Sequence, residues 1–121
     1  MAERISEAEW QVMEVLWAES PLTAQAAAMA LADSGWTLAT VKTLLSRLAA
    51  KGAVTTTEDG RRFLYAPAVD RAEMAAGESR RLVDRLFGGR ATPLVAHLAE
   101  RGELSSADIE ELEALIRELK Q

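Results

Sequence analysis

The chain contains no cysteine. A disulfide framework, a thiolate metal site and a thiol redox switch are therefore excluded. Histidine is almost as scarce, with His97 alone. Lacking a second imidazole or a thiolate beside it, His97 is expected to pack or to face solvent rather than to ligate a metal or catalyse. Long apolar runs are also missing. The longest small-apolar stretch, AAAMALA at 26–32, falls far short of the roughly 20 residues that span a bilayer, so no membrane insertion is expected. The first residues, MAERISEAEW, are acidic and amphipathic and carry no signal-peptide core. There is no glycine-rich phosphate loop, no nucleophile paired with a base, and no carboxylate pair that a solvated acidic helix would not explain. Those absences remove the usual grounds for an enzyme or a cofactor. A cytoplasmic, cofactor-free protein is the expectation.

What remains is 121 residues, 49% apolar and 27% charged, enough for one domain with or without an appendage. SEAE at 6–9 reads as a capping box, Ser6 with Glu9, opening a helix that reaches Ala18. SPL at 20–22 interrupts it, Thr23 caps a second helix toward Asp33, and SG at 34–35 stops that one. Thr37 caps a third helix that ends at Gly52. The period then changes: Val54–Thr57 and Arg62–Tyr65 are β-prone runs around Asp59-Gly60, a dipeptide suited to a tight hairpin turn. After Pro67 the pattern returns to helix, at Asp70–Leu86, Thr92–Arg101 and 105–120. The fold class is mainly α with a small β-hairpin, three helices and a hairpin in the order of a winged helix-turn-helix, followed by a helical region.

The formal charge of −5 argues against nonspecific nucleic-acid binding by the whole surface. Its distribution is more informative. Between Ser34 and Thr57 the only charges are Lys42, Arg47 and Lys51, and after Glu58 and Asp59 come Arg61 and Arg62. Wound at helical period, Leu38, Val41, Leu44, Leu45 and Leu48 share one arc of the third helix, and the rest carries Thr40, Lys42, Thr43, Ser46 and Arg47 without a carboxylate. The last helix is a control. There Glu110, Glu111, Glu113, Arg117, Glu118 and Lys120 back an apolar stripe, the mixed charge of an ordinary solvated face. The third helix instead exposes threonines, poorer helix formers, with charges of one sign. Short hydroxyl side chains among cations suit a B-DNA major groove. Arg61 and Arg62 would meet the adjacent backbone from the wing, unless they pair with Glu58 and Asp59. A protein-binding adaptor that does not touch DNA, and plain solvation, remain the alternative uses of that face.

The segments ISEAEWQVMEVLW (5–17), GWTLATVKTLLSRLAAKGAV (35–54), GRRFLYAP (60–67) and RRLVDRLFGG (80–89) together resemble the penicillinase-repressor (BlaI/MecI) family, over nearly the whole chain. The resemblance implies a homodimeric repressor that binds double-stranded, inverted-repeat operators. Its winged-helix DNA-binding domain would span 1–67 and its helical dimerisation region 68–121. By position, Thr40, Lys42, Thr43 and Ser46 match the family's recognition-helix contacts, while Ala39 stands where well-known relatives have a lysine. In one branch a membrane metalloprotease sensor triggers cleavage between an asparagine and a phenylalanine. His97-Leu98 occupies that place here, and a sensor protease stays an open partner. In another branch paired C-terminal cysteines bind copper, and this chain has none.

Ile109, Leu112, Leu115, Ile116 and Leu119 form the stripe of the last helix, and Leu82, Val83, Leu86 and Phe87 a second apolar set. Packing within one chain would cover them. So would a second copy, and about 50 residues of amphipathic helix make a marginal core alone. A two-fold dimer would present two recognition helices to half-sites about 34–36 Å apart, or multiples of that. Operator sequence, regulated genes and inducing signal are not written in the chain.

Overall fold

The computed structural model describes residues 4–121. Helix α1 (Glu7–Ala18) starts with the expected reciprocal cap. The Ser6 hydroxyl accepts from the Glu9 amide at 3.1 Å and the Ser6 amide donates to the Glu9 carboxylate at 2.7 Å. Thr23 caps α2, which is shorter than its sequence suggests and spans only Ala24–Ala30. The chain then tightens into a 3-10 turn at Ala32–Ser34, closed by Gly35 at φ 78°. The cause is local. Ser34 turns its hydroxyl onto the Leu31 carbonyl at 2.6 Å and accepts the Trp36 amide at 3.2 Å, a side-chain competitor for the helical ladder. Thr37 caps α3 (Leu38–Ala50) through the Thr40 amide.

Strands β1 (Val54–Asp59) and β2 (Arg62–Pro67) pair antiparallel with Asp59 opposite Arg62. The turn is therefore Gly60-Arg61, one residue later than the Asp59-Gly60 motif suggests. Gly60 has φ 66° and Arg61 does not share the positive angle, the pattern of a type II′ turn with glycine first. Leu22 and Tyr65 exchange both backbone hydrogen bonds, at 3.0 and 2.8 Å, so a single bridge ties β2 to the segment before α2.

The core lies between α1, α2, α3 and the start of β1. Val12, Met13, Leu16, Val41, Leu45 and Leu48 are fully buried there, each contributing about 1.5–3 kcal/mol of burial free energy. The compact unit built on this core continues past Pro67 to Met74, and a second unit runs from Ala75 to Gln121. What holds residues 68–74 to the first unit is specific. The Trp17 indole donates to the Val69 carbonyl at 3.0 Å, and Arg71 pairs with Glu14 at 2.6 Å. The expected domain boundary at Pro67 coincides with the end of the sheet.

Helix α4 (Arg71–Phe87) begins in the first unit and continues into the second, which also holds α5 (Ala91–Glu100) and α6 (Ser106–Leu119). Arg80 pairs with Asp84 and donates to the Gly89 carbonyl at 2.8 Å, closing the end of α4. A second capping box, Ser105 with Asp108, opens α6. Among the described residues no helix is long and apolar enough to cross a membrane.

Candidate nucleic-acid interface

Helix α3 sorts its residues by face. Val41, Leu44, Leu45 and Leu48 are buried, while Thr40, Lys42, Thr43, Ser46 and Arg47 are all exposed. Among the described residues neither Lys42 nor Arg47 has an ion-pair partner. Two cations and three hydroxyls thus share one side of a rigid helix with no carboxylate on it. The Thr43 hydroxyl donates to the Ala39 carbonyl at 3.0 Å, one turn back. Arg47 lies in the last turn, where a cation also complements the helix dipole.

Leu38 departs from its expected place. The helical period puts it in the apolar arc, yet it is 39% exposed. It is the first residue of α3, and there the core has already ended. Its side chain instead lines a cleft of about 350 Å³ shared with Thr23, Ala24, Gln25, Lys42, Arg61, Arg62, Phe63 and Tyr65. This cleft brings Lys42 together with the two wing arginines, whereas Thr40, Thr43, Ser46 and Arg47 lie outside it. Arg62 pairs with Asp59 at 3.1 Å, both side chains exposed, a contact worth under about 1 kcal/mol. Arg61, in the turn itself, has no ion-pair partner among the described residues.

Lys51 behaves unlike the other cations of the basic segment. Its ammonium sits 2.6 Å from the Glu9 carboxylate and donates to the Arg4 carbonyl at 3.2 Å. Glu9 is only 2% exposed. Burial pushes its carboxyl up, but the Lys51 ammonium and the Ser6 cap together hold it below the ordinary value. This pair clips the C-terminal end of α3 to the start of α1, a structural use that excludes Lys51 from the exposed face. Sequence reasoning found Glu9 as a cap and missed its second partner, which lies 42 residues away.

In the second unit Leu82, Leu86, Ile109, Leu115, Ile116 and Leu119 are exposed, Leu119 at 76%, while Phe87 and Leu112 are half-buried. His97 lies on α5 with its ring 6.4 Å from that of Phe87. Among the described residues no three His, Cys, Asp or Glu side chains gather as a metal site requires.

A family model described as penicillinase repressor matches residues 5–118. The chain belongs to the penicillinase repressor family. The penicillinase repressor of Bacillus licheniformis is 32% identical over 118 residues, covering 97% of this chain and 92% of its own. The methicillin resistance regulatory protein MecI of Staphylococcus aureus (strain N315) is 28% identical over 113 residues, covering 93% and 92%. Among solved structures, monomeric Bacillus licheniformis BlaI in complex with the blaP half-operator is 34% identical. It covers 60% of this chain and 90% of that one with a TM-score of 0.52. The winged-helix fold of this penicillinase repressor relative is therefore shared with a protein solved on DNA.

Proposed function

We propose that the chain is a homodimeric transcriptional repressor that binds double-stranded operator DNA with α3 in the major groove of each half of an inverted repeat. The observation that carries this reading is the exposed, acid-free face of α3, whose cations have no ion-pair partners among the described residues. Family membership and the likeness to BlaI on its half-operator support it. Thr40, Thr43 and Ser46 meet base edges or set the register, while Lys42 and Arg47 take phosphates. Arg61 extends the contact from the wing, and Arg62 joins it by leaving an exposed ion pair that costs little to break. Four such cations per chain make eight in a dimer, and counterion release from the phosphates they neutralise drives association. The net negative charge elsewhere opposes this weakly, because the Debye length is only about 8 Å at physiological ionic strength.

Dimerisation rests on the second unit. The exposed α6 stripe of Ile109, Leu115, Ile116 and Leu119, with Leu82 and Leu86, is apolar surface that the single chain does not cover. A second copy buries it and supplies the second reading head. The reading assigns no catalytic residue, places the protein in the cytoplasm with its DNA, and does not require a sensor protease.

The test is fluorescence anisotropy with duplexes tiled across the region upstream of the chain's own coding sequence, each titrated beside a scrambled control. Binding confined to one tile is expected. That binding should weaken by about 10³-fold or more between 50 and 200 mM salt, the signature of six or more phosphate contacts. Should no tile bind, an inverted repeat selected from random duplexes by the purified protein is tried. Failure there as well would leave α3 as a protein-docking helix.

A further inference from the structure

The cleft between the first turn of α3 and β2 combines two features that do not usually meet on a solvated surface. Leu38 and Phe63, 39% and 47% exposed, stand in it as bare apolar groups. Lys42, Arg61 and Arg62 also line it, Arg62 carrying its exposed ion pair to Asp59 at 3.1 Å, and among the described residues no carboxylate is part of the lining. Glu58 opposes Phe63 in the strand ladder but is not among the lining residues. Single exposed apolar side chains need no explanation. Two that share one cleft with Lys42 and Arg61, neither of which has an ion-pair partner among the described residues, call for a ligand that is apolar at one point and anionic around it. An apolar peptide would leave the cations without counter-charge, and an acidic one would find little use for Leu38 and Phe63.

DNA has that chemistry in fixed geometry. Phosphates line both edges of the major groove, and within the groove the thymine C5 methyl is the apolar group offered. The N-terminal residues of a recognition helix are those that reach base edges, and Leu38 is the first residue of α3. Resting on the repressor reading above, we propose that this cleft receives the edge of a thymine-bearing base pair in each half-site. The thymine methyl packs against Leu38 and Phe63, and Lys42 and Arg61 hold the phosphates beside it. Leu38 is on this account a specificity-determining residue, reading one position that hydroxyl contacts from Thr40, Thr43 and Ser46 do not reach.

The experiment replaces each thymine of the bound duplex, one symmetric pair at a time, by deoxyuridine, which removes only the methyl. Wild-type protein should lose about fourfold in affinity per half-site at one position, the value of one buried methyl group, and little elsewhere. Leu38→Ala should bind the thymine duplex correspondingly less well and should no longer distinguish thymine from uracil at that position. Leu38→Met, still apolar and of similar volume, should keep the distinction. The scan of the wild-type protein needs no variant, so the proposal is testable even if a substitution unsettles the fold. A flat scan would overturn it. So would a methyl effect that persists undiminished in Leu38→Ala, or a Leu38→Ala loss that is equal on both duplexes, which would mean contact with sugar instead. A folded protein that binds no duplex at all would bring down the repressor reading itself, and this inference with it.

Discussion

Helices α3 and α6 are built alike and exposed in opposite ways. Each has an apolar stripe and a polar back. In α3 the stripe beyond Leu38 is sunk in the core and the polar back stands free of acids, while in α6 the stripe apart from Leu112 is exposed and the back mixes Glu with Arg and Lys. The same contrast separates the two units. Every buried apolar residue except Val83 lies in the first unit. The first unit thus buries its own core and leaves the polar back of α3 exposed, and the second leaves an apolar stripe exposed. Cationic polar faces recruit polyanions, where charge gives affinity that salt can tune. Apolar stripes recruit protein, where area gives affinity that salt scarcely changes.

The comparison breaks most visibly at Thr43. Thr43→Glu puts a carboxylate in the middle of the acid-free face, and like-charge juxtaposition of several kcal/mol should weaken operator binding by at least about 100-fold. Its melting temperature and oligomeric state should match wild type. Normal binding by this variant would remove α3 from the interface.

Paired leucine truncations sharpen it further. Leu45→Ala empties a site in the core and should destabilise the first unit by about 2–5 kcal/mol, equally at every protein concentration. Leu115→Ala should lower the melting temperature only to the extent that the dimer is lost, so that raising protein concentration restores it. Thermal melts over a wide dilution series decide between them. A concentration-independent effect at Leu115 would mean that its stripe packs within one chain.

Glu9→Gln should cost about 1.5–3 kcal/mol at neutral pH, the range for hydrogen bonds to a charged partner. The folded carboxyl is held below its ordinary value, so the stabilisation is present above the unfolded value and is lost as pH falls through the folded one. Denaturant titrations of wild type and variant should therefore converge on acidification. A gap that stays constant down to strongly acidic pH would mean that the ionised carboxylate contributes nothing.

The smallest effect is a slope. Lys42→Met should reduce the dependence of log affinity on log salt by about 0.9 per half-site, whereas Lys51→Met should leave it unchanged. A reduced slope for Lys51→Met would show that the clip to Glu9 opens on DNA.

Much of this was legible because it is local. The capping box at Ser6, the caps at Thr23 and Thr37, and the glycine after α3 act over a few residues, so their spacing gave both the helices and their starts. Three features could not be read from spacing. The 3-10 turn after α2 arises from the choice of the Ser34 hydroxyl between solvent and the Leu31 carbonyl. The turn at Gly60-Arg61 was fixed by strand register, which the Asp-Gly motif does not contain. Leu38 satisfies the helical period and still lies outside the core, because periodicity gives direction and not the extent of what packs there. In the same way Lys51 looked equivalent to Lys42 along the chain, and only the fold spends it on Glu9.

The Thr43 hydroxyl carries a further consequence. It donates its one proton to the Ala39 carbonyl, so outward it offers lone pairs and a methyl group and nothing to give. A base facing it must then be a hydrogen-bond donor, through the amino group of adenine or cytosine, or present a methyl of its own. The acceptor edge of guanine would meet it lone pair to lone pair. On the proposed reading, a threonine back-bonded in this way sets the polarity of the base that α3 accepts.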